Sequence, residues 1–298
     1  MARITNIHGL PEELVRAVTP RPKKHPNDIY LTQATGWTDL MFYLHHAYGD
    51  QIVEDAADKL YMLLGSSVHY IIEKGAGNDA LAEERISIPV LGFNLVMRPD
   101  LWKAKTITDW KVTSVWSYLL GEKDEWGDQL NGYAWGLWEY GFETDTLLVQ
   151  AIFRNWERRK AMYDKNYPPI PFASVKYPLV PYEETKKTIT EKLMAFRRVL
   201  EGYVPEVCPD KYRWYKPDTF AVRKKGTKRA LPGGAKFRSR EEAEAWLITK
   251  EAKQPQLKLE IDHRKGEYSR CMGYCSARMV CPYNPYINDE GAEDDGNS

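Results

Sequence analysis

"ITDWKVTS", residues 107–114, sets an acid and a base two positions apart in a stretch that reads as a β-strand. Side chains at i and i+2 of a strand share a face. Asp109 and Lys111 therefore project side by side, and Trp110 points to the other face. One reading is a half-exposed strand with a surface ion pair; the other is a metal-dependent active site. The triplet alone favours the first, so its surroundings have to decide.

Working outward, "RISIPV" from Arg85 and "FNLVM" from Phe93 also read as strands. The short connection "RPDLWKA" predicts that the run from Phe93 and the run carrying Asp109 are antiparallel neighbours. An amphipathic helix is predicted from about Val53 to Lys74, stopping at Gly75, and a shorter one over 39–47 capped by Thr38. Residues 1–30 read as irregular apart from a short helix near Pro11 to Ala17. "EWGDQLNGYAWGLWEYGFE" has aromatic and apolar residues at helical spacing, "TLLVQAIFRNW" (146–156) reads as a strand, and 183–203 as a charged amphipathic helix. The order helix, three strands, helix, strand predicts an α/β fold with a mixed central sheet flanked by helices.

After Pro209 the composition shifts. "TFAVRKKGTKRALPGGAKF" reads as a basic β-hairpin, and "SREEAEAWLITKEAK" as a helix capped by Ser239. The expected organisation is a main domain over 1–207 with an N-terminal helical segment, a small α+β module over 208–285 bounded by cysteines, and a disordered acidic tail over 286–298.

The 298 residues carry 42 Lys+Arg and 42 Asp+Glu, so no global field points to a polyanionic partner and any anion-binding surface must come from local clusters. The densest is the run from Arg223 to Arg240, with Arg223, Lys224, Lys225, Lys228 and Arg229 as candidate phosphate contacts. No apolar run approaches the ~20 residues of a membrane span, and no signal-peptide core is present. The expectation is a cytoplasmic protein with no membrane partner, in the host cytoplasm if phage-encoded, whose four cysteines are reduced thiols.

The residues around Asp109 give the acid–base pair a purpose. Asp100 lies at the far end of the predicted hairpin, where it can approach Asp109. His69 and Glu73 are four apart on one helix face, as are Gln129 and Tyr133. Hydrolysing a phosphodiester needs charge neutralisation and an activated water, and hard divalent ions held by oxygen ligands supply both. Asp100 and Asp109 are the candidate carboxylate clamp. Lys111 is placed to orient water or to stabilise developing charge. His69 would add a nitrogen ligand, which suits Mn²⁺ better than Mg²⁺. Gln129 and Tyr133 offer hydrogen bonds and a stacking face to nucleic acid.

The pieces "GSSVH", "MRPD", "ITDWK" and "QLNGY" together resemble the RecB-type branch of the PD-(D/E)xK nucleases, over roughly residues 60 to 156. That resemblance implies a restriction-endonuclease-like fold and divalent-metal-dependent DNA cleavage, often from an end. It implies catalytic roles for Asp100, Asp109, Lys111, Gln129 and Tyr133. It also implies metal ligation by His69, Asp100, Asp109 and the Trp110 backbone carbonyl. Linear single- or double-stranded DNA is the implied substrate. Recombination or replication proteins are implied partners, in recombination, repair or phage genome processing.

Three of the four cysteines fall within "CMGYCSARMVC", and Cys208 is the natural fourth partner of Cys271, Cys275 and Cys281. Such clustering suggests shared ligation. Relatives within the resembled family, including AddB and CRISPR-associated nucleases, carry a 4Fe-4S cluster on one distant and three clustered cysteines. The spacing here leaves Zn²⁺ as the alternative. Two rival functions stay open: a structure-specific or nicking endonuclease on the same scaffold, and a catalytically inactive DNA-binding subunit of a recombination complex.

Overall fold

The computed structural model describes residues 2–20, 22–121, 123–234 and 236–287. The acidic residues of the predicted tail, Asp289 to Asp295, lie outside them. The chain divides into two compact units, Met1–Glu206 and Val207–Ser298.

The first unit is built on a five-stranded mixed sheet. The elements that frame the sheet and its core are, in chain order, β1 (Asp28–Tyr30), α1 (Leu31–Gly36), α2 (Asp39–Ala47), α3 (Leu60–Gly75), β2 (Leu81–Ala82), β3 (Ile86–Val90), β4 (Phe93–Met97), β5 (Leu101–Lys103), β6 (Thr106–Thr113), α4 (Asp124–Glu139), β7 (Thr146–Phe153), β8 (Phe172–Tyr177) and α5 (Tyr182–Leu200), alongside shorter helices and a small strand pair. The main sheet runs β8-β7-β6-β5-β2, with β6 and β7 parallel and the other pairings antiparallel. β6 is central because Ile107 and its β7 neighbours Leu147 and Val149 are wholly buried under α4 and α5, in a core with Leu130, Leu193 and Phe196. This is the mixed α/β architecture, helices flanking a central sheet, that the sequence predicts.

Three details differ from the sequence reading. β4 does not pair with the Asp109 strand; it lies in a separate three-stranded sheet, β1-β4-β3, parallel to β1. Pro99, which has no N–H to donate, ends that run, and the hairpin partner of β6 is the short β5. The turn joining them, Ala104–Lys105, has positive φ at both residues (47° and 58°), the backbone of a tight two-residue hairpin. The long helix begins at Leu60 and not at Val53: Val53–Asp55 is a strand parallel to Arg3–Thr5, and the Asp55 carboxylate caps the short turn that follows by accepting from the Ala57 N–H at 3.0 Å. The N-terminal segment is thus more ordered than its composition suggests.

Two glycines set the approach of α4. A Cβ at Gly132 would meet Leu31 at 2.7 Å, and one at Gly136 would collide with the Met97 sulfur. Helix and strand therefore sit closer than any side chain would allow, which fixes Gln129 and Tyr133 on the neighbouring turns.

In the second unit β9 (Thr219–Lys224) pairs antiparallel with β10 (Leu259–Arg264), and α6 (Arg240–Lys253) packs against both. The predicted hairpin over 219–237 is corrected accordingly. Its return limb runs beside β9 through isolated bridges, Phe220 with Phe237 and Arg223 with Ala230, and through bonds from the Val222 N–H to the Gly234 carbonyl at 2.7 Å and from the Leu231 N–H to the Val222 carbonyl at 2.9 Å. Pro232, with no N–H to donate, keeps it from forming a continuous strand. Ser239 caps α6, accepting from the Glu242 N–H at 3.2 Å.

Candidate active site

The β5–β6 register (Leu101 opposite Thr108, Trp102 opposite Ile107) brings Asp100 to the position facing Asp109. β5 ends there, which would leave the Trp110 N–H at an unpaired strand edge. The Asp100 carboxylate accepts that N–H at 2.7 Å. The hairpin itself thus delivers the second acid.

Asp109 is 1% exposed, and burial pushes its carboxyl up to about 6 against the opposing pull of Lys111. Lys111 Nζ lies 2.8 Å from Asp109 Oδ2, so that buried oxygen is paired with the ammonium beside it. From α4, Gln129 links the group. Its Oε1 accepts from Lys111 at 3.1 Å, and its amide donates to Asp109 Oδ1 at 3.2 Å and to the Tyr133 hydroxyl at 2.7 Å. Burial raises the Tyr133 phenol well above its ordinary range, so it stays protonated.

His69 enters from α3, a helix with no buried residue, where Tyr61, Tyr70 and Ile71 are 67%, 61% and 67% exposed. Its link to the sheet is polar. Nε2 donates to the Trp110 carbonyl at 2.9 Å, and Nδ1 faces Glu83 at 3.3 Å and Asp100 at 3.4 Å. All three partners are acceptors, so both ring nitrogens carry hydrogen. Asp100 foremost lifts the imidazole to about 9, Trp110 and Glu83 adding to it against burial. A cation thus sits among the carboxylates of the site.

Glu83 is the residue that the sequence reading missed. It lies in the bend between β2 and β3 at φ 55°, held by its N–H to the carbonyl of Pro99 at 3.1 Å. Its carboxyl is raised by burial and by the nearby Asp100. No periodicity marks it; its only sequence signal is an acid just before a strand. Glu73, on the same helix face as His69, is not among the donors that converge here. His69 Nδ1 and carboxylate oxygens of Glu83 and Asp100 all lie within 4.8 Å of one another, the sole such group among the described residues. Oxygen-rich donors with one imidazole suit a hard divalent ion, Mn²⁺ or Mg²⁺.

In the second unit, Cys208, Cys271, Cys275 and Cys281 are half-buried thiols outside any disulfide. Burial raises the Cys275 and Cys281 thiols; Cys271 and Cys208 raise Cys275 further, and Cys208, Cys275 and Cys271 raise Cys281, so the four share one neighbourhood. In the basic segment, Arg223 ion-pairs with Glu260 at 3.0 Å and sits 3.6 Å from Asp262, so its charge is offset across the β9–β10 ladder.

No protein-family model matches the chain, and no curated protein sequence matches it. Solved structures overlap it, two of them as follows. One, designated SSO0001, is 16% identical with a TM-score of 0.42 and covers 68% of this chain and 87% of its own. The other, the alkaline exonuclease LHK-Exo from Laribacter hongkongensis, is 13% identical with a TM-score of 0.39 and covers 64% and 95%. Overlap of that depth carries no argument, and the functional reading rests on the geometry. Among the described residues, no helix is long and apolar enough to cross a membrane.

Proposed function

We propose that the chain is a divalent-metal-dependent deoxyribonuclease that hydrolyses DNA from its ends, in recombination, repair or phage genome processing. The observation that carries this reading is the convergence of Asp100, Asp109, Lys111, Gln129, Tyr133 and His69, from a hairpin and two helices, into one connected polar cluster on a buried sheet. A surface ion pair needs none of these supports.

Asp100, Asp109 and Glu83 would hold the Mg²⁺ or Mn²⁺, with His69 Nδ1 joining once that nitrogen has lost its proton while Nε2 keeps its bond to the Trp110 carbonyl on the far side of the ring. When bound, the ion supplies charge neutralisation at the phosphate and a lowered pKa for water. Lys111, steadied by Gln129, orients the nucleophile and faces the charge that develops on the phosphoryl oxygens. Gln129 also holds the Asp109 carboxylate in register, and the protonated Tyr133 fixes the Gln129 amide. Lys224, Lys225, Lys228 and Arg229 would contact the DNA backbone; Arg223, already paired, contributes least.

The four thiols suit a structural metal centre. Such a centre would be a 4Fe-4S cluster, as in the resembled family, or a Cys₄ Zn²⁺ site, which thiolates also hold well.

Incubation with linear and covalently closed circular DNA, with Mg²⁺ or Mn²⁺, tests the reading. Degradation of linear DNA alone supports the exonuclease. Cutting of the closed circle would move the assignment to an endonuclease on the same scaffold. Binding without cleavage by either would leave only an inactive DNA-binding subunit.

A further inference from the structure

Beside the candidate active site, a cleft of about 450 Å³ opens among β1, α1, β4 and α4, a size typical of small-ligand sites. Its floor is Leu31, Met97 and Tyr133, all buried. Tyr133 is shared with the Gln129–Asp109 network, so the cleft adjoins the reacting centre. Its rim carries Lys24, Arg85 and Arg98, with no acidic residue among its described lining residues. In a chain of zero net charge this is a locally cationic hollow. Tyr30 stands at the rim, 40% exposed.

The cationic rim is held in place from below. Arg85 donates to the buried Asp28 carboxylate at 3.0 Å, and Asn94 donates to the other Asp28 oxygen at 3.1 Å. Arg85 is thus anchored and its charge partly offset. The closest carboxylate oxygen to Arg98 is on Glu83, at 3.9 Å, and the Arg98 side chain is 56% exposed. An anion entering here meets Arg98 and Lys24 first. An apolar floor with an exposed aromatic ring asks for a ligand with a flat body as well as a charge.

We propose that this cleft receives one nucleotide of the DNA strand next to the cleaved phosphate, its phosphate against Lys24, Arg85 and Arg98 and its base against Tyr30. The inference rests on the nuclease reading above and adds the subsite that seats the substrate. Base–aromatic stacking tolerates any base, and guanidinium–phosphate pairing fixes the backbone. The site therefore grips the strand without reading its sequence.

Thymidine 5′-monophosphate titrated into the full-length protein in EDTA, followed by calorimetry or NMR, tests this without involving cleavage. The nucleotide should bind saturably and more tightly than either thymidine or inorganic phosphate. Lys24→Ala with Arg98→Ala should weaken it by about tenfold or more. Tyr30→Ala should weaken it about fivefold or more, while Tyr30→Phe keeps the stack and the affinity. Asp109→Ala should bind at least as tightly as wild type. Circular dichroism confirms that each variant is folded. No saturable binding at millimolar nucleotide would overturn the proposal. So would equal affinity in a folded double variant, or phosphate binding as well as the nucleotide. Because no divalent ion is present, these failures leave the nuclease reading standing. Intact nucleotide binding without any metal-dependent cleavage would remove the nuclease reading and not the cleft.

Discussion

If His69 is a metal ligand, divalent-ion affinity must depend on pH in a calculable way. In the metal-free protein the His69 imidazole titrates near about 9, lifted first by Asp100. A metal binds only the deprotonated ring, so binding near neutrality must displace a proton. Two pH units below that value the displacement costs about 2.7 kcal/mol, at ~1.36 kcal/mol per unit, or roughly a hundredfold in affinity. Mn²⁺ or Mg²⁺ affinity should therefore rise about tenfold per unit from pH 7 towards 9 and level off above it. Below about 6 a second proton, on Asp109, should steepen the slope. The His69→Gln variant should bind more weakly at high pH and lose the dependence between 7 and 9, keeping only the Asp109 part. Calorimetry in two buffers of different ionisation enthalpy gives both affinity and protons released. Affinity independent of pH from 7 to 9 in the wild type, with no proton release, would refute His69 as a ligand.

Without metal, the same raised imidazole predicts a stabilising contribution that is fully present below about 6.5 and is lost as pH rises through about 9; thermal melts in EDTA of wild type and His69→Gln should therefore differ at pH 6 and converge above 9. Asp109→Ala and Lys111→Ala should each lower cleavage by at least about 10²–10³-fold with folding and DNA binding nearly intact, and near wild-type rates in either would dismiss that residue's role. Neutralising Lys224, Lys225, Lys228 and Arg229 together should flatten the log–log salt dependence of DNA binding by about 0.7–0.9 per lost contact, whereas adding Arg223 should change little; an unaltered slope would make the segment merely solvated. Replacing any one of Cys208, Cys271, Cys275 or Cys281 by Ser should lower stability and bound metal together, with iron, sulfide and zinc analysis after anaerobic purification deciding between cluster and ion; a stable fold with all four changed and no metal in the parent would remove the metal centre. Gly136→Ala should destabilise by about 1–3 kcal/mol, since the added methyl meets the Met97 sulfur, and a denaturation midpoint equal to wild type would contradict that packing.

The strand carrying Asp109 and Lys111 was legible from its β-branched and aromatic residues between short connections, and β7 because Leu147, Val149, Ala151 and Phe153 alternate with half-buried residues. Thr38 and Ser239 marked their helix starts because a side-chain oxygen there replaces a missing backbone partner. What stayed hidden depended on partners distant in sequence. β1 is three residues long and exists only through its parallel ladder with β4. The partner of β9 lies beyond an intervening helix. Val53 to Lys59 look helical in composition, yet Val53–Asp55 pairs with Arg3–Thr5, and the Asp55 carboxylate accepts from the distant Ile7 N–H as well as from the Ala57 N–H. At the candidate site, spacing named His69, Asp100, Gln129 and Tyr133, but the partner of each acid is set by the β5–β6 register. Glu83 was invisible because its place comes from a bend stapled to Pro99, not from any repeat.

The central claim is that Asp109 and its neighbours hydrolyse DNA with a divalent ion. End-labelled linear duplex, incubated with Mn²⁺ by wild type and by Asp109→Ala purified in parallel, tests it most directly. Wild type should release labelled nucleotides, with none released in EDTA and none by a folded Asp109→Ala. Equal release by the two proteins, or release by wild type that persists in EDTA, would contradict it.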